Sequence, residues 1–87
     1  MTQVVHKHVL ELKDNQIVTI DSFFTILDCQ IQGSEICFWY IVDDQTGLKQ
    51  TLNFQIKGTG QQIAQGYFYL STVQVNEFVW HIFYNYN

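Results

Sequence analysis

The chain has 87 residues, enough for one domain, and 47% of them are apolar, including seven Phe, five Tyr and two Trp; such a composition excludes an unfolded chain. Its formal charge is −4, with four Lys, no Arg and eight acidic residues, which excludes the basic, arginine-bearing stripe that long nucleic acids require. So small a domain cannot enclose this many rings, so a homo-oligomer is expected to cover some of them.

Period-two alternation runs through almost the whole sequence and there is no Pro, which predicts about seven strands in a single β domain over 1–87. The first spans roughly Val4–Leu12 and leads through "KDNQ" into Gln16–Asp21. Asp14 and Asn15 both tolerate positive φ, so a two-residue hairpin is expected there. The third strand, Thr25–Gln32, sets Leu27, Cys29 and Ile31 against Asp28, Gln30 and Gln32. Gly33-Ser34 suits a tight turn into Glu35–Val42. That fourth strand, "EICFWYIV", is apolar on both faces and belongs in the middle of a sheet.

"DDQTG" turns the chain into Leu48–Lys57, where Leu48, Leu52, Phe54 and Ile56 alternate with polar residues. The segment "IKGTGQQIAQGYF" is the longest loop, and Gly58 and Gly60 are expected to turn the chain with positive φ. Tyr67–Val75 and Phe78–Tyr86 follow, joined at Asn76-Glu77. No helical stripe stands out. The predicted architecture is all-β, a compact antiparallel sandwich or partly closed barrel built from sequential hairpins.

A two-residue loop at Gly33-Ser34 pairs Gln32 with Glu35, Cys29 with Phe38 and Gln30 with Cys37. The two thiols then lie on opposite faces of the sheet and stay unbonded, which agrees with a cytoplasmic location. No apolar run of about 18 residues occurs, and the N-terminus alternates instead of forming a leader, so no membrane contact is expected.

Little in the sequence points to catalysis. His6 and His8 project from one strand face as a His-x-His pair, but a metal site needs a third ligand. His81 is the only other histidine and Glu11 falls on the opposite strand face. Structural histidines are expected, with no metal and no cofactor. Cys29 and Cys37 have apolar neighbours that raise a thiol's pKa, so core packing is their expected role. Asp43-Asp44 is ordinary turn composition, whereas Asp28, on a face lined with Gln, is a candidate recognition residue. No catalytic residue is assigned and no enzyme is expected. In the C-terminal strand, "FVWHIFYNYN" is apolar on both faces near its start, as a central or interface strand would be.

Several segments carry a resemblance: "HVLEL", "TILDCQIQGSEICFWYIVD", "FQIKGTGQQI" and "LSTVQVNEFVWHIF". In this order they resemble a family of small uncharacterised all-β phage and prophage proteins, with a Gly-Thr-Gly-x-x-Ile loop and a terminal Val-Trp-His-x-Phe strand. Matching positions include Leu10, Glu11, Cys37, Trp39, Asp43, Gly58, Thr59, Gly60, Ile63, Thr72, Val73, Gln74, Val79, Trp80, His81 and Phe83. The family loop tends to read Gly-Thr-Gly-His-Pro, and Gln61-Gln62 stand here instead.

The resemblance implies phage origin, a bacterial host cytoplasm and no assigned activity. By analogy, it implies an accessory binding protein that neutralises a host defence factor. Such a protein covers a host protein or sequesters a small signalling nucleotide; the alternative is a structural, decoration or assembly protein acting through symmetric self-association. For a nucleotide, the amides of Gly58, Thr59, Gly60 and Gln61 would meet phosphate, with Trp39 or Trp80 stacking on the base. The Gly-Thr-Gly run is followed by neither a helix nor Gly-Lys-Ser/Thr, so it is not a dinucleotide or Walker loop. A connection between strands is the plainer reading.

Overall fold

The computed structural model describes residues 3–21, 25–43 and 47–86. Seven strands appear among them and no helix: β1 (Gln3–Leu10), β2 (Asn15–Asp21), β3 (Thr25–Gln32), β4 (Glu35–Asp43), β5 (Lys49–Gly58), β6 (Phe68–Val75) and β7 (Phe78–Tyr86). They form two antiparallel sheets, ordered β1-β4-β3 and β2-β5-β7-β6, packed face to face as a sandwich. The barrel alternative therefore falls away. The expected turn at Asp43-Asp44 lies partly in 44–46, outside the described residues.

The two strands that are apolar on both faces are central, as expected: β4 lies between β1 and β3, and β7 between β5 and β6. Their inward residues and those of β5 build the core. Phe38, Val42, Leu52, Phe54 and Ile82 are fully enclosed, and the Phe38 and Phe54 rings meet between the sheets at 5.0 Å. The outer face of the four-stranded sheet carries Thr51, Asn53, Gln55, Lys57, Thr72 and His81, the polar half of the alternation.

Two hairpins stand where the turn residues placed them. Gly33 has φ 64° and Asn76 has φ 58°, the left-handed values that two-residue hairpin loops demand. Gln32 pairs with Glu35 and Val75 with Phe78. Cys29 faces Phe38 and Cys37 faces Gln30, and both cysteines are free and buried. Burial and the neighbouring Asp28 carboxylate push the Cys29 thiol up to about 12. Because both thiols are enclosed, neither should react with Ellman's reagent in native buffer at pH 8, while both should react in denaturant. Fast native labelling would contradict the packing.

The expected hairpin at Asp14-Asn15 is not there. β1 pairs with β4, in register from Gln3 opposite Asp43 to Leu10 opposite Ile36, and β2 pairs with β5. Residues 11–14 carry the chain from one sheet to the other. The reason is that alternation fixes which side chains face inward but not which strand lies alongside. The crossing is held by Gln16, whose carboxamide acts as a strand partner for Glu11. Its Oε1 accepts from Glu11 N at 3.0 Å and its Nε2 donates to Glu11 O at 2.7 Å. Sequential hairpins fail elsewhere too, because β5 and β6 share a sheet with β7 between them.

Candidate functional site

The Gly-rich segment leaves the end of β5 and folds across the outer face of the four-stranded sheet. Gln61 N donates to Gly58 O at 3.1 Å, and Gly60 has φ 93°. This is the geometry of a type II turn, with glycine where the third residue needs positive φ. Gln61 Oε1 accepts from Gly58 N at 2.7 Å, closing the turn a second time. The amides of Gly58 and Gln61, expected to face an anion, are thus engaged within the turn.

Gly58 corrects another expectation, since its φ is not positive. It pairs with Trp80 on β7, and a Cβ there would lie 3.5 Å from Trp80 Cζ3, an ordinary contact. The two glycines should therefore respond differently to alanine. Gly60→Ala is expected to cost about 1 kcal/mol because the side chain opposes φ > 0. Gly58→Ala should stay within about 0.5 kcal/mol of the parent. Thermal melts of both variants check this; equal losses would contradict the turn.

Beneath the turn lies His81, which pairs with Lys57 on one side and Thr72 on the other. Thr59 Oγ1 stands 3.0 Å from its Nε2 and Thr72 Oγ1 stands 3.0 Å from its Nδ1. Tyr69 OH continues the chain to Thr72 Oγ1 at 2.8 Å. A neutral imidazole donates from one nitrogen and accepts at the other, so one threonine donates to the ring and the other accepts. The relay ties the turn to β6 through β7. No carboxylate stands behind the imidazole in the relay, so Thr59 lacks the third group that orients a base beside a nucleophile.

Lys57, Gly60, Ile63, His81 and Phe83 line a depression of about 200 Å³ beside the relay. Phe83 packs edge-on against Tyr69 at 5.8 Å, and Tyr69 is 61% exposed. Lys57 Nζ donates to Asp14 Oδ1 at 2.7 Å, so its charge is partnered. On the other face of the sheet, Trp80, Gln61, Leu12 and Ile56 line a second depression of about 240 Å³. Among the described residues the enclosed Trp80 indole N–H finds no acceptor.

A family model for "Domain of unknown function (DUF7352)" matches residues 1–87. The chain belongs to the DUF7352 family. No curated protein and no solved structure matches it.

In this DUF7352 chain the expected site residues divide into three places. Gly58, Thr59, Gly60 and Gln61 form one turn, Trp80 underlies it from the core side, and Trp39 is remote. Trp39 lies on the outer face of the three-stranded sheet, between Lys7 and Asp28. A base stacked on Trp39 could not reach the turn. Asp28 serves the backbone beside it, accepting from Cys29 N at 2.8 Å and from Gln30 Nε2 at 2.6 Å.

His6 and His8 stand at the lip of the sandwich, their rings beside Tyr40 and Phe38 at 5.7 and 5.6 Å. Burial lowers the pKa of His8. His81 belongs to the other sheet, and no group of three potential metal ligands occurs among the described residues. Sequence reasoning missed Tyr69, Thr72 and Gln55 as neighbours of the candidate site. The order β5-β7-β6 brings Tyr69 and Thr72 into the relay with His81, and nothing local in the sequence encodes that order; Gln55 meets the loop through Ala64 instead.

Proposed function

We propose that this DUF7352 chain is a non-enzymatic binding protein whose working surface is the outer face of the four-stranded sheet beside the Gly58–Gln61 turn, and that it acts by covering a protein partner. The observation that carries this reading is the Tyr69–Phe83 pair, an exposed aromatic contact set among the hydroxyls and imidazole of the relay. Aromatic anchors within a polar rim are how protein interfaces concentrate their affinity. The phage setting, with a host defence component as the partner, rests on the resemblance of the loop and terminal motifs to phage and prophage proteins.

Sequestration of a small nucleotide has less support. Two of the four turn amides are engaged, Lys57 is paired with Asp14, and Trp39 lies on another sheet. The test is a capture from infected host lysate, with wild type compared against Tyr69→Ala and Thr59→Ala. A protein retained by wild type and lost at least about tenfold with Tyr69→Ala supports the reading. A nucleotide released by heating the purified protein, and lost with Thr59→Ala, would replace it. A partner indifferent to both substitutions would place the working surface elsewhere.

A further inference from the structure

The two flanks of the sandwich are built differently. On one flank, β3 and β6 each break register at a bulge, between Ile26 and Asp28 and between Tyr69 and Ser71. Ser71 Oγ donates to Cys29 O across that gap at 2.7 Å. Bulges of this kind discourage an edge from pairing further. On the other flank, β1 keeps unbroken register with β4 over all eight residues, and among the described residues no strand lies on its outer side. A straight edge without a bulge or Pro is a template for another strand.

The sequence along that edge reads the same in both directions: Val5-His6-Lys7-His8-Val9. A palindromic strand offers identical side chains to an antiparallel copy of itself, the relation that a two-fold axis imposes. Centred on Lys7, such pairing sets Val5 against Val9 of the second copy and His6 against His8 of the second copy. Val5 is 56% exposed and Val9 38% in the single chain, and the pairing covers both. The charge at the axis is already drawn aside, because Lys7 Nζ donates to Gln32 Oε1 on β3, beyond β4, at 2.8 Å. That weakens the like-charge contact that would otherwise oppose the register.

We propose that two copies of this chain pair antiparallel through their β1 edges about a two-fold axis at Lys7, and that His6 and His8 of both copies form a four-imidazole site for Zn2+. Opposed residues in antiparallel strands hold their Cβ atoms about 5 Å apart, and alternate residues on one strand lie about 7 Å apart. Imidazoles at the corners of such a rectangle converge on one ion with bonds of about 2.0–2.1 Å. A single chain supplies two of these ligands and the second copy completes the set. The site is independent of the Tyr69–Phe83 face.

The test uses the full chain, stripped with EDTA and sized by light scattering before and after ZnCl2, with calorimetry counting the ions. Zinc should shift the mass from one chain to two and bind at one ion per two chains. His6→Gln/His8→Gln, checked for folding by circular dichroism, should show neither the shift nor the titration. One ion per chain without a mass change would overturn the proposal, as would a zinc-driven dimer in the double variant or a dimer that ignores both EDTA and the substitutions. If the double variant does not fold, Co2+ decides in wild type. Intense visible bands of tetrahedral nitrogen ligation, confined to the dimer, support the site; the weak spectrum of the hydrated ion overturns it.

Discussion

Phe54→Ala is expected to lower the unfolding free energy by about 3–5 kcal/mol, a large part of the roughly 5–15 kcal/mol typical of a folded domain. Phe54 is fully enclosed, 5.0 Å from Phe38 on the other sheet and 6.4 Å from Tyr84 on its own. The ring is therefore both a buried apolar group and the central contact between the layers. Its removal leaves a cavity that two hydrogen-bonded sheets cannot close without shifting. Urea unfolding followed by tryptophan fluorescence measures the loss. Phe68→Ala is the comparison, since Phe68 is 57% exposed although it also packs on Tyr84; it should cost less than about 1 kcal/mol. Comparable losses in the two variants would mean that Phe38 and Phe54 do not join the sheets.

The second large effect is expected at Gln55. It lies on the outer, polar side of β5, yet it is buried, because the segment after the Gly58–Gln61 turn folds over it. Its Nε2 donates to Asn15 Oδ1 at 2.9 Å and its Oε1 accepts from Ala64 N at 3.1 Å. One carboxamide thereby ties the edge strand β2 to the loop that bears the candidate site. Gln55→Leu keeps much of the volume but leaves a part-buried amide without an acceptor, at a cost of about 1–3 kcal/mol. The signature is local. Exchange of the Ala64 amide should accelerate well beyond that of the β5 core amides, and proteases should cut near 61–66. Unchanged protection at Ala64 would show that the loop is held by other contacts.

These two residues also show how far the sequence could be read. Phe54 was legible as core because Leu52, Phe54 and Ile56 alternate with polar residues, and a period of two admits one buried face. Gln55 was not, since the same alternation assigns it to solvent; only the loop crossing above it changes its environment. The Cys29–Phe38 register was legible because Gly33-Ser34 permits a two-residue turn, which fixes every pair beyond it until the bulge. The partner of β1 was not, because Asp14-Asn15 has turn chemistry and the chain uses that segment to change sheets. For the site, the Gly58–Gln61 turn and Trp80 were visible as composition, and the structure sets Gly58 and Gln61 against Trp80 while Thr59 reaches His81 on the outer face. Thr59, Thr72 and His81 are far apart in the chain and meet only through strand order.

Residue by residue, the sequence determined the class of fold, the seven strands, the alternation of β5 and the two tight hairpins at Gly33-Ser34 and Asn76-Glu77. Each of these depends on backbone geometry within a few residues or on the period of the pleat. Leu27 and Leu48, read with the apolar faces of β3 and β5, are instead exposed. The tertiary structure decided which strands are neighbours, and with that the hydroxyl–imidazole relay under the turn, the separation of Trp39 from Trp80 and the straight outer edge of β1. Any antiparallel neighbour that presents an apolar face satisfies the local pattern. The choice among neighbours is made only when both sheets close over Phe38 and Phe54 together.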